Sequence, residues 1–130
     1  MGSRTYSVVN AVDTPLVTVA ETVIATLAGV TTDRPGQSIR FAGECQITTG
    51  TNTTGLTFRI RRDTVAGVLL GEANVVQVEA VAGSTEDHDA YAEDNISGEI
   101  ASATYVLTVQ QAAASANGSC LRASLVADLV

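Results

Sequence analysis

The chain has 130 residues and a formal net charge of −7, with 45% hydrophobic, 16% charged and only 4% aromatic residues. That length suffices for one domain with its own core. An acidic chain of this kind repels nucleic acid and anionic membranes, which excludes both as partners.

All seven basic residues are arginines, and with so few aromatics they are too sparse for a base-stacking platform. No stretch approaches the ~18 apolar residues that span a bilayer. The opening "MGSRTYSVVNAVDTP" lacks the apolar centre of a signal peptide, which predicts synthesis in the cytoplasm. The acceptor-like tripeptides beginning at Asn52, Asn95 and Asn117 then carry no glycan.

In chain order, residues 1–14 show little pattern beyond Val8, Val9 and Val12. They predict an extended N-terminal arm that folds only against a neighbour, ahead of a domain over 15–130. Strands are expected near Val17–Val19 and over Thr22–Ala28. The next, Ser38–Thr49, places Ile39, Phe41, Gly43, Cys45 and Ile47 inward, with Gly43 marking a bulge or bend. The run "GLTFRIRR" follows, with Leu56, Phe58 and Ile60 inward and Thr57, Arg59 and Arg61 outward.

A loop rich in Thr, Gly and Asn separates these two runs and predicts that they pair with each other. Arg40, Glu44, Arg59 and Arg61 would then form a cross-strand charge ladder, either solvated or salt-bridged to another subunit. Further strands are expected at Val75–Val81, with a short extended piece at Val68–Leu70 before it, and at Ser84–Ala92. Two more follow, at Ala103–Gln111 and Ser119–Leu129.

Val, Ile and Thr dominate the periodic runs, and turn clusters recur about every dozen residues. Together they predict an all-β sandwich or barrel of about eight antiparallel strands. In "ATYVLTVQQ", Tyr105, Leu107 and Val109 share one face, yet Val106 adds an apolar group to the other. Other subunits are the expected cover for that second face, with Tyr105 and Val106 as contacts.

Catalysis needs converging titratable groups. The chain has one His and no GxSxG turn, and Cys45 reads as core, so no catalytic residue is assigned. The acidic run "STEDHDAYAED" holds Glu86, Asp87, His88, Asp89, Glu93 and Asp94. On a strand, Glu86 and His88 face one way and Asp87 and Asp89 the other, so no metal site and no cofactor is assigned. Cys45 and Cys120 fall on unlike faces by parity, Cys120 with Arg122 and Ser124. That favours free thiols, with a disulfide as the alternative.

The "RIRR" strand, the "LLGEA" and "AGS" turns, the "YVLTVQQ" strand and the "ANGS" turn resemble small virion structural proteins of tailed bacteriophages with a jelly-roll sandwich. The resemblance covers roughly Gly29 to the C-terminus. It implies a single jelly-roll-like β-sandwich and a capsid decoration (cement) protein, or a related head or tail accessory protein, that forms a homotrimer. It brings over no active-site residue.

The expected partners are further copies of the chain and the major capsid protein, at the capsid surface of the virion. The expected contacts are the arm to Thr14 and Arg59, Arg61 and Arg62. The alternative is a tail- or fibre-associated jelly-roll module that binds a cell-surface carbohydrate.

Overall fold

The computed structural model describes residues 4–11, 13–15, 19–48, 55–75, 85–95, 102–112 and 118–130. They form nine strands: β1 (Thr5–Asn10), β2 (Thr14–Pro15), β3 (Thr22–Val30), β4 (Ser38–Thr48), β5 (Leu56–Arg62), β6 (Leu69–Val75), β7 (Thr85–Asn95), β8 (Ala103–Gln111) and β9 (Ser119–Leu129). One sheet has the order β1-β9-β4-β7, with β2 also paired to β9, and the other has the order β3-β8-β5-β6. Every pairing is antiparallel. A five-stranded and a four-stranded sheet packed face to face, with the eight long strands in this order, are a jelly roll.

The chain changes sheet at almost every connection. Only β5 and β6 are both sequence neighbours and sheet neighbours among the eight long strands. This overturns the expected pairing of the Ser38–Thr49 and "GLTFRIRR" runs. β4 lies between β9 and β7, and β5 lies between β8 and β6. Both strands alternate because both bury one face in the shared core, and alternation carries no information about which sheet a strand joins.

Residues 5–10, expected to fold only against a neighbour, instead pair with Asp128–Ala123 of β9 in the same chain. Of the first expected strand, residues 17 and 18 lie outside the described residues, and Val19 is an exposed bend. The strand expected at 75–81 starts earlier, as β6, and residues 76–81 lie outside the described set.

The core is built by alternate residues of both sheets. Ile39, Phe41, Ile47, Leu125 and Leu129 come from one, and Ile24, Phe58, Ile60, Tyr105 and Leu107 from the other. The rings of Phe41 and Tyr105 meet across the layers at 4.5 Å between centroids, tilted by 48°, a favourable arrangement for two aromatic quadrupoles.

Gly43 is not a bulge, because the β4–β7 register runs through it unbroken. Its missing side chain makes room for Leu107, whose Cδ1 would lie 2.9 Å from an added Cβ. The irregularity of β4 falls later, opposite β9, where Gln46 pairs with Arg122 but Ile47 pairs with Cys120. Leu121 is the extra residue there, and it reverses the parity of everything before it. Cys120 therefore points into the core at 2% exposure rather than outward beside Arg122.

At Gly71 the edge strands of the two sheets touch. An added Cβ would sit 2.2 Å from the carbonyl oxygen of Tyr91 and 2.6 Å from the Cβ of Ala92.

Candidate functional site: the outer faces of the sandwich

The outer face of the β3-β8-β5-β6 sheet is closed by its own side chains. Glu21, just ahead of β3, reaches over β8. One carboxylate oxygen accepts from Arg59 Nη1 at 2.9 Å and from Arg61 Nη2 at 3.1 Å. The other accepts from Arg61 Nε at 2.7 Å and from the Thr108 hydroxyl at 2.8 Å. Arg59 also donates to Gln110 Oε1 at 2.6 Å and lies 3.5 Å from Glu72.

Burial alone would raise the pKa of Glu21. The hydrogen bonds from Arg61 and Thr108 and the positive charges of both arginines outweigh it and hold the carboxyl below its ordinary range. Val106 pairs with Thr26 on one side and Arg61 on the other, and is only 3% exposed. The second face of "ATYVLTVQQ" is thus covered within one chain, so Val106 needs no other subunit. Tyr105, also expected at a contact, is 0% exposed and faces the core.

Arg62 turns the other way. Its Nε and Nη2 donate to both oxygens of Asp94, at 3.1 and 2.5 Å, and the Tyr105 hydroxyl donates to Asp94 Oδ2 at 2.9 Å. Asp94 is on β7 and its two donors are on β5 and β8, so the cluster ties the two sheets together. Burial first, and then the neighbouring Asp94, push the Tyr105 phenol well above its ordinary range. Arg59, Arg61 and Arg62, expected as contacts, are therefore committed inside the protomer, and they form no ladder with Arg40 and Glu44.

Arg40 and Glu44 lie on the outer face of the other sheet. There Arg40 is opposite Glu93 and Asp128, Ala42 is opposite Tyr91 and Val126, and Glu44 is opposite Asp89 and Ser124. A shallow groove of about 470 Å³ runs across β7, β4 and β9, lined by Glu44, Gln46, Asp87, Asp89, Arg122 and Ser124. Tyr91 stands beside it at 69% exposure.

On the inner side of β7, His88 stacks on Phe58 with 5.5 Å between centroids, and its Nε2 lies 3.0 Å from Glu86 Oε1. The acidic run thus divides by strand parity as the sequence predicts. Among the described residues, no three His, Cys, Asp or Glu side chains converge on a common point.

The two thiols are free and buried. Burial first, with Cys120 adding to it, pushes the Cys45 thiol far up, and burial raises Cys120 to about 11. Neither is poised as a nucleophile.

Sequence reasoning missed Glu21, which is distant in sequence from the arginines it joins. It also left Asp94 in the acidic run without a role. An acid beside a strand that carries a residue as short as Thr108 at its centre was the available signal.

No family model matches the chain, and no curated protein matches its sequence. Solved structures do match. The infectious bursal disease virus T13 particle gives a TM-score of 0.63 at 14% identity, over 97% of this chain and 31% of the viral chain. The VP2 subviral particle of the same virus gives 0.54 at 12% identity, over 98% of this chain and 33% of that one. Latent PorU from Porphyromonas gingivalis gives 0.51 at 8% identity, over 99% of this chain and 13% of that one.

These likenesses show the fold. The chain spans about a third of the viral chains it matches. Its structural neighbours thus include proteins of viral particles.

Proposed function

We propose that this chain is a non-enzymatic structural protein of a virus particle. It is a decoration protein that binds the outside of a phage capsid as a homotrimer and braces neighbouring major-capsid subunits. The observation that carries this reading is the match of nearly the whole chain, 97% of it, to a chain of an icosahedral viral particle at a TM-score of 0.63.

Two features of the surface agree with it. One outer face is sealed by the Glu21 network, which leaves a stable back. The other presents Arg40 and Glu44 on an open, unsealed sheet. Contact falls on that open sheet, with the edge strand β1 beside it, and not on Arg59, Arg61, Arg62, Tyr105 or Val106.

Light scattering of the purified chain and electron microscopy of virions from its source, labelled with antibody to the chain, test the reading. A trimer in solution and label on the head are expected. A monomer, with label absent from the head, overturns it.

The second reading is a tail- or fibre-associated module for a cell-surface carbohydrate. It is favoured by the exposed Tyr91 beside an open polar groove. Binding on a glycan array that is lost in Tyr91→Ala would replace the first reading.

A further inference from the structure

The two outer faces differ in how their charges are used. On the sealed face, Arg59 and Arg61 meet Glu21 and Glu72 within the protomer. On the open face, the carboxylates Glu44, Asp87, Asp89, Glu93 and Asp128 oppose only Arg40 and Arg122, a surplus of three negative charges. Among the described residues, none of these seven side chains makes an ion pair, and only Asp128 has a side-chain partner, the Thr5 hydroxyl.

The register makes this costly. Glu44 of β4 and Asp89 of β7 lie directly opposite each other, and like charges in that position destabilise a sheet. Tyr91 is next along β7 on the same face, opposite Ala42, whose small side chain leaves the ring open. Asp89 and Glu93 flank it at i−2 and i+2. An exposed ring ringed by unpaired carboxylates has the features a guanidinium needs: a π face to stack on and planar oxygen pairs for bidentate hydrogen bonds.

We infer that the open face of the β1-β9-β4-β7 sheet docks an arginine-bearing protein surface, with one guanidinium seated on Tyr91 between Glu44, Asp89 and Glu93. The occupant removes the Glu44–Asp89 repulsion that the free protomer carries. This deepens the decoration reading by giving the chemistry of the surface that the chain grips. Arginine is favoured over lysine because a planar group stacks and forks where an ammonium does not. A sugar would also stack on Tyr91, but it would gain nothing from the charge surplus.

The test uses a fluorescent peptide of six arginines, with six-lysine and neutral cello-oligosaccharide probes beside it, at low salt. The whole chain is acidic, so a charge control is essential. Glu72→Gln removes one carboxylate from the opposite face.

The six-arginine peptide is expected to bind several-fold tighter than six-lysine. Tyr91→Ala should weaken binding about 3-fold, and Glu44→Gln with Asp89→Asn about 10-fold, while Glu72→Gln has little effect. The same double variant should melt about 2 °C higher than the parent, because the opposed charges are gone. A poorly folded variant would do the reverse.

Equal losses in Glu72→Gln and the double variant would overturn the inference, as would Tyr91-dependent binding of the cello-oligosaccharide instead. Neither result touches head labelling, which tests the decoration role separately.

Discussion

Replacing the buried Asp94 with alanine should be strongly destabilising. Asp94 is 2% exposed and takes three hydrogen bonds from two strands of the opposite sheet. Without it the Tyr105 hydroxyl, at 0% exposure, has no acceptor, and an orphaned buried donor costs about 1–3 kcal/mol. Arg62 is less constrained. Its side chain is 34% exposed and can turn to water, which holds its share to about 1 kcal/mol.

The expected loss is therefore about 2–4 kcal/mol, below the 3–5 typical of breaking a fully buried pair. For a domain of this size that is roughly a 10 °C fall in Tm. Circular dichroism during heating and urea titration both read it. Tyr105→Phe provides the internal check. In the parent it should cost about 1 kcal/mol, and in the Asp94→Ala background it should be neutral or stabilising, since it removes the orphan. A loss under about 0.5 kcal/mol in Asp94→Ala, or strict additivity in the double variant, would show that the cluster does not tie the sheets.

Gly71→Ala should also be strongly destabilising, by about 3 kcal/mol, because the new Cβ meets backbone that cannot turn aside. Near-parental stability would mean that β6 and β7 are free to separate. The third change concerns pH. Glu21 has a lowered pKa, so its contribution is full above the ordinary value of 4.5 and is lost as pH falls through the folded value. Glu21→Gln should be less stable than the parent at pH 7, and the gap should narrow as pH falls below 4.5 and through the lower folded value. A gap independent of pH, measured by urea titration from pH 7 to 3, would refute the charge-based account.

The sequence made β8 and β9 legible to their end residues, because long period-2 runs bounded by turn residues leave little choice. It misassigned the partner of β4, since a strand's alternation reports its buried face and not its neighbour. It placed Cys120 on the wrong side because a single extra residue, Leu121, inverts parity, and nothing local marks that bulge. β1 was taken for a loose arm because none of its residues is fully buried; its place is set by β9, more than a hundred residues away. Val106 was assigned to a subunit contact because its neighbours, Thr26 of β3 and Arg61 of β5, are both distant from it in sequence. Of the expected contact residues, Arg40 and Glu44 are exposed on the open sheet, and the arm residues of β1 form its edge.

β9, which follows the other eight strands in the chain, occupies an interior position, with β1 and β2 on one side and β4 on the other. Among the described residues β1 pairs with β9 alone, so until β9 leaves the ribosome β1 lacks its partner and β4 has one bare flank. A nascent chain of this topology stays open and adhesive through most of its translation, and then closes in one late step. Truncations that remove β9 should therefore produce inclusion bodies rather than smaller folded pieces. The yield of intact protein should also depend on whether chaperones hold the waiting strands apart.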